Sequence, residues 1–455
     1  MRVKSVRQHY LKFELPSSPS KVVEAYRAKY AGVNEILLDV PEIVDLAHKD
    51  FERWLSVSET GRESKYTSEE ILRVLVVMFV EGEDYRETVV RVENSEFLRN
   101  FVGFGFAKPM MEFSFVSKAF AALSDEAWRA MNEALGRYGV ERKGVTGVTL
   151  RADTTVVETN IHYPTDSSLL WDSFRVLSRV LKRVQCEHRE LDLKHRYHVG
   201  KVKSLVQFIA RNSKSPSKRT QQKVRTAYAT LLERARRIVQ ISKSVRAELG
   251  PACAFEAPEL ELYEPLAQRV IDQTQRRVFE GQKVPPDQKV YSIFEPHTEL
   301  LKRGKAGKPV EFGHKVLLAQ TGEKFISHFR VVSRREEDKE LVDEVLTRHE
   351  VLFGKKPEML AADKGFYESP EQLARLEREI ETVSICKKGR RTKAEIVREH
   401  EESFQAGQRF RAGVEGTISV LKRAFKLRRC LYKGFKHFEA AVGCAVFCHN
   451  LVLLA

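Results

Sequence analysis

The chain has 455 residues, with 78 Lys and Arg against 63 Asp and Glu, and therefore a formal net charge of +15. This length allows two or three domains with a sizeable core, and hydrophobic and aromatic contents of 42% and 9% exclude a largely disordered chain. The basic excess favours a polyanionic partner, above all a nucleic acid, although a basic enzyme without such a partner would carry the same charge.

No membrane-spanning segment is expected. The first 16 residues lack the apolar core of a secretory signal. The longest apolar stretches, 71–80 and 440–455, are too short to span a bilayer and predict buried helices. The six cysteines contain no CxxC pair, which indicates a reduced, cytoplasmic protein.

Residues 1–140 predict a helical N-terminal region. One helix should begin at a capping box, formed by Thr67 and Glu70, and end at Gly82. Short helices of this kind suit either a DNA-binding module or a simple helical cap. Residues 168–284 predict a basic helical insertion, which would either face DNA or form a solvated hairpin.

Residues 141–167 and 285–455 predict one α/β domain that this insertion interrupts. Strand-like segments include "GVTLRADTTVVETN" (147–160) before the insertion and "MLAAD" (359–363) after it. The order of strand, helical insert, strands, helix, two strands and helix predicts an α/β domain interrupted by a helical insertion.

Two aspartates stand out within this domain. Asp153 is unexpected in a strand, because carboxylates are depleted there and are costly to bury unpaired. Asp363 ends an apolar strand, where functional groups of α/β sheets gather. Two carboxylates on neighbouring strands repel each other unless a cation lies between them, and Mg²⁺ prefers such oxygen ligands. Glu158, five residues after Asp153, is expected on the opposite face of the strand.

A third carboxylate, Glu415, lies on a predicted C-terminal helix. Arg411, Glu415 and Lys422 share a face beside the apolar stripe of that helix. A plain surface ion pair would explain Arg411 and Glu415 by themselves. It would not explain why three carboxylates occur where a single metal site would need them.

Taken together, these segments resemble the DDE transposases of bacterial insertion sequences, in particular the ISNCY group. The resemblance is carried, in chain order, by "RADTTVVETNIHYPTDSSLLWDS", "SIFEPHTELLKRGKAGKPVEFGHKVLLAQT", "AADKGFYES" and "FRAGVEGTISVLKRAFKLRRCLYKGF". It implies an α/β domain with an RNase H-like mixed sheet and helices, and with Asp153, Asp363 and Glu415 as catalytic metal ligands. Arg411 and Lys422 match the family's basic positions, whereas Gln408 stands where the family has tyrosine.

The resemblance implies cleavage of DNA at the ends of an insertion sequence and strand transfer into target DNA. The cofactor would be Mg²⁺, or Mn²⁺ in its place, as two ions. Arg411 and Lys422 would hold phosphates or form ordinary salt bridges. Double-stranded DNA would be the partner of a homo-oligomer, a dimer in the DNA complex, in the cytoplasm at the nucleoid. An RNase H-like nuclease without strand transfer and a non-catalytic DNA-binding regulator derived from a transposase are the alternatives.

Overall fold

The computed structural model describes residues 2–5, 17–55, 64–105, 108–191, 193–249, 256–305 and 308–455. The chain divides into two compact units. Unit 1 comprises Met1–Glu158 and His314–Ala455, and unit 2 comprises Thr159–Gly313.

The secondary-structure elements are numbered along the chain. The helices are α1 (Lys21–Asp39), α2 (Pro41–Leu55), α3 (Ser68–Val80), α4 (Tyr85–Asn94), α5 (Glu96–Val102), α6 (Phe113–Ala122), α7 (Asp125–Arg142), α8 (Asp166–Glu187), α9 (Val199–Asn212), α10 (Lys218–Glu248), α11 (Glu256–Thr274), α12 (Val342–Phe353), α13 (Pro370–Glu379), α14 (Lys393–His400), α15 (Glu402–Ala412), α16 (Val414–Arg423) and α17 (Phe435–Leu454). The strands are β1 (Thr149–Thr159), β2 (Glu299–Lys305), β3 (Lys308–Thr321), β4 (Ile326–Val332), β5 (Met359–Ala362), β6 (Thr382–Ile385) and β7 (Arg429–Cys430).

The N-terminal part of unit 1 is helical, and one of its helix starts is the one predicted from sequence. The Thr67 hydroxyl accepts from the Glu70 N–H, and the Glu70 carboxylate accepts from the Thr67 N–H, so the capping box before α3 is confirmed. These bonds satisfy backbone donors that a helix start leaves without partners.

Helix α17 fills the core of unit 1. Among the described ranges it is the one helix long and apolar enough to cross a membrane, yet 78% of its apolar window is buried inside the protein. The expectation that this segment is too short was wrong, because the helix begins at Phe435 and has 20 residues. Its composition is explained by burial: Phe447, for example, packs on Trp128 of α7 with ring centroids 5.8 Å apart.

The sheet of unit 1 is mixed, as predicted. Its strands lie in the order β4, β3, β1, β5, β6, and β7 pairs with β1. β1 and β5 are parallel, as are β5 and β6, whereas β3 and β4 are antiparallel. Leu150 and Ala152 of β1 share a buried cluster with Leu360 of β5, which is typical of parallel strands covered on both faces. This arrangement is consistent with an RNase H-like fold.

Unit 2 consists of α8 to α11, a π-helical turn at Gln275–Phe279 directly after α11, and β2 with the first residues of β3. A separate apolar cluster forms its core, including Leu170, Leu181, Leu231 and Val270. Near the start of α8, the Arg277 guanidinium donates two hydrogen bonds, of 2.8 and 3.0 Å, to Asp166.

A buried amide in unit 1 offers a direct test of this packing. The Asn450 side chain donates to Ile326 O at 2.9 Å and to Asn132 Oδ1 at 2.8 Å, and it accepts from Ile326 N at 3.0 Å. Asn450→Leu should lower the free energy of unfolding by about 3 kcal/mol, because it leaves buried polar groups unsatisfied. Urea denaturation would measure the change.

Leu453→Ala is the matched control on the same helix, since the Leu453 side chain is partly exposed. It should cost less than about 1 kcal/mol. Equal losses for the two variants would mean that the amide bonds do not hold α17 in place.

Candidate active site

Two of the predicted carboxylates lie at neighbouring positions of the sheet. Ala152 of β1 pairs with Ala362 of β5 in parallel register, and Asp153 and Asp363 follow these two residues. Asp363 keeps an extended backbone, with φ −77° and ψ 172°. Neighbouring strands are about 4.8 Å apart, and residues in register project to the same face. Both aspartates are partly buried, and the register places them next to each other at neighbouring strands.

A tight turn holds Asp363. Its Oδ1 accepts a 2.7 Å hydrogen bond from the Gly365 N–H. A Cβ at residue 365 would come within 2.8 Å of this oxygen and within 3.1 Å of Asp338 Oδ2. Glycine is thus required because two carboxylates crowd the turn.

Asp338 is the second of these carboxylates, and no sequence pattern predicted its role. The Thr154 hydroxyl, next to Asp153, donates to Asp338 Oδ2 at 3.1 Å. Lys315 Nζ donates to Asp338 Oδ1 at 2.8 Å and to Glu336 O at 2.6 Å. Asp338 therefore places a fourth carboxylate, with its own counter-charge, beside Asp363. Asp338 is identified only from the three-dimensional structure, because no sequence motif surrounds it.

Arg411 contacts Asp153 directly. Its Nη1 lies 3.5 Å from Asp153 Oδ2. The sequence suggested Glu415 as a simple ion-pair partner of Arg411 on one continuous helix, but the helix ends at Ala412 and a new one begins at Val414. Among the ion pairs of the described ranges, Arg411 pairs with Asp153 and not with Glu415.

A buried guanidinium ties α15 and α16 to the strand that carries Asp153. Arg151 is 4% exposed, and its Nε donates to Gln320 Oε1 at 2.8 Å. Its Nη1 donates to Phe410 O at 2.7 Å, and the guanidinium lies over the Phe410 ring at 4.7 Å. Burial lowers the pKa of Arg151.

The same network fixes the start of α16. Gln320 Nε2 donates to Thr417 Oγ1 at 2.8 Å, and a Cβ at Gly413 would collide with the Arg151 guanidinium. Because Arg151 and Asp153 project to the same face of β1, the first turn of α16 is held on that face. Glu415 lies in this turn with an exposed side chain, and Lys422 lies in the last turn of the helix.

Gln408, at the position of the family's tyrosine, has a structural role. Its Nε2 donates to Ser384 O at 2.8 Å and to Ser384 Oγ at 3.0 Å. These bonds hold α15 against β6.

One group of three potential metal ligands lies within 4.8 Å of one another in the described ranges, and it is in unit 2. It consists of Glu187, His188 and Glu256. The ligand atoms of Asp153, Asp363 and Glu415 do not all come within that distance. Metal binding by these three residues therefore stays a prediction.

Residues 267–451 match the family model of the transposase DDE domain. This similarity supports a DDE transposase, an enzyme class that depends on metal ions and acts on DNA. The matched range contains Asp363, Arg411, Glu415 and Lys422, and it begins after Asp153. No curated protein and no solved structure matches the chain significantly.

The close approach at Gly413 gives a test of the site's scaffold. Gly413→Ala should push the start of α16 away from Arg151 and lower the free energy of unfolding by about 1–3 kcal/mol. Gly416→Ala, three residues later on the same helix, has open space around its Cβ position. It should be neutral or stabilise by up to about 1 kcal/mol, since alanine favours helix.

Urea denaturation of the two variants would make the comparison. Similar changes in both would show that the contact with Arg151 does not hold α16.

Proposed function

We propose that the protein is a DDE transposase of the ISNCY group that cleaves DNA at the ends of its insertion sequence and transfers the cut strand into target DNA. One observation supports this most strongly. Asp153 and Asp363 occupy neighbouring register positions, on the face to which the Arg151 network anchors the helix of Glu415. In this proposal, residues 141–167 and 285–455 are the RNase H-like catalytic domain, 168–284 a basic helical insertion, and 1–140 a helical region with a possible role in DNA binding.

The donor set fits a hard divalent cation. Asp153, Asp363 and Glu415 offer only carboxylate oxygens, which Mg²⁺ and Mn²⁺ prefer. Two adjacent carboxylates need positive charge nearby. Arg411, whose Nη1 lies 3.5 Å from Asp153 Oδ2, supplies one positive charge for the two. When bound, two such ions activate the attacking oxygen and stabilise the leaving oxygen.

The proposed reaction has two displacements at phosphorus. In the first, water attacks a phosphodiester at an element end, the P–O bond to the 3′ oxygen breaks, and a 3′-hydroxyl is released. In the second, this hydroxyl attacks a target phosphodiester, forming a new P–O bond as the target's own 3′ oxygen leaves. Arg411 would bind a nearby phosphate as a fork and Lys422 as a point charge.

Strand transfer also bears on the oligomeric state of the active form. Two element ends must be held together for joining, so the active form is proposed to be a dimer on double-stranded DNA. The net charge of +15 supports binding to the phosphate backbone. Such an enzyme would work in the cytoplasm, at the nucleoid.

Asp153→Asn should lower Mg²⁺-dependent cleavage of an end-containing duplex by more than about 100-fold, because it removes a ligand charge without changing side-chain size. Binding of the duplex should be retained. Gel analysis of cleavage and fluorescence anisotropy of binding would measure the two effects.

Glu158→Gln is the control on the same strand, since Glu158 pairs with Arg429 at 3.0 Å. It should cleave at nearly the wild-type rate. Cleavage that survives Asp153→Asn would exclude the proposed site.

The wild-type reaction products separate the alternatives. A transposase joins cut ends to a target duplex, whereas an RNase H-like nuclease releases ends and joins none. A non-catalytic DNA-binding regulator derived from a transposase is the other alternative. DNA binding without any metal-dependent product would identify a regulator.

A further inference from the structure

The segment 422–436 in unit 1 carries a high density of positive charge. Its 15 residues contain seven cations and no Asp or Glu. The cations are Lys422, Arg423, Lys426, Arg428, Arg429, Lys433 and Lys436. A stretch of one charge sign at this density fits a polyanion.

Buried anchors give this segment a defined conformation. Phe425, Leu427 and Cys430 are buried in the core of unit 1, and Tyr432 packs on Phe120 with ring centroids 4.9 Å apart. Since these apolar side chains point inward, the cations between them project to solvent. The exposed ones are Arg423, Lys426, Arg428, Arg429, Lys433 and Lys436.

Within the described ranges, few acidic groups neutralise these cations. Arg429 pairs with Glu158 at 3.0 Å, and Lys426 lies 3.8 Å from Glu87. The ion pairs of the described ranges include no partner for Arg428, Lys433 or Lys436. These three positive charges are therefore available to a ligand.

The segment is fastened to the strand that carries Asp153. β7 pairs with β1, and Glu158 N donates to Arg428 O at 3.3 Å. Glu158 is five residues beyond Asp153, which is about 16 Å along a strand that rises about 3.3 Å per residue. Measured along the axis of a DNA duplex, which rises about 3.4 Å per base pair, this length corresponds to about five base pairs.

We propose that segment 422–436 is a DNA-contact surface that holds the duplex about five base pairs from the phosphodiester at Asp153. The binding of duplex DNA rests on the charge and exposure of the segment. Its distance from the cut rests on the proposed function.

The first test is the salt dependence of binding to a 30-base-pair duplex, measured by fluorescence anisotropy. The variant replaces Arg428, Lys433 and Lys436 with Ala. None of these three residues has its side chain in the core. Losing three phosphate contacts should reduce the slope of log K against log salt by about 2.7, at about 0.9 per contact. The affinity at low salt should fall at least tenfold.

The control variant replaces Arg348, Lys355 and Arg378 with Ala. These cations are also exposed. Arg348 lies within α12, Arg378 lies in the last turn of α13, and Lys355 lies before β5, whose other end precedes Asp363. It has the same net charge as the first variant and should bind like wild type. Equal weakening of both variants, or an unchanged slope in the first, would overturn the proposal, as would equal competition by an acidic peptide.

The distance from the cut is tested separately, by hydroxyl-radical footprinting of wild type and the Arg428/Lys433/Lys436 variant on a duplex with one element end. Protection about five base pairs from the cut that disappears in the variant is expected. Protection that disappears at another position would overturn the placement. If no duplex is cut while the salt slope still changes, the proposed function fails and the DNA-contact surface stands.

Discussion

Two aspartates are forced into neighbouring positions by the parallel pairing of β1 with β5. Ala152 of β1 pairs with Ala362 at the end of β5, and Asp153 and Asp363 directly follow these two residues. Two partly buried negative charges at this spacing raise the free energy of the folded chain unless positive charge offsets them. Arg411 beside Asp153 and Lys315 beside Asp338 each supply part of that charge. The surplus of carboxylates at one sheet edge is the physical basis for inferring a metal site.

Arg151 connects the strand of Asp153 to the helices that carry Arg411 and Glu415. Its guanidinium is buried, and its hydrogen bonds go to neutral oxygens of Gln320 and Phe410. A cation held in this way fixes the junction of α15 and α16, which lie more than 250 residues away in sequence from β1. Glu415 and Arg411, on either side of the junction, take their positions from that contact. The basic segment 422–436 follows α16 directly and returns to β1 through β7. β1 thus contacts both β5, which precedes Asp363, and β7, which belongs to the basic segment.

The sequence was sufficient where local rules decide the structure. The capping box at Thr67 and Glu70 and the end of a strand at Asp363 follow from residue pattern alone, whereas the mixed sheet was predicted from the family resemblance. The break at Gly413 could not be predicted, because its cause is a contact with Arg151 across the fold. Asp338 was missed for the same reason, since its neighbours Thr154 and Lys315 come from distant strands. Local pattern also underestimated the length of α17, whose first turn contains Lys436 and His437 whereas most of its remainder is buried.

Crystals of the protein with an end-containing duplex and Mn²⁺ would test the metal site most directly, because anomalous scattering locates manganese without reference to activity. The proposed function requires manganese bound by the carboxylates of Asp153, Asp363 and Glu415. Glu187, His188 and Glu256 in unit 2 form the competing location, since their ligand atoms already lie within 4.8 Å of one another. Manganese bound only there, with the three carboxylates of unit 1 apart and free of metal, would refute the assignment of a DDE active site.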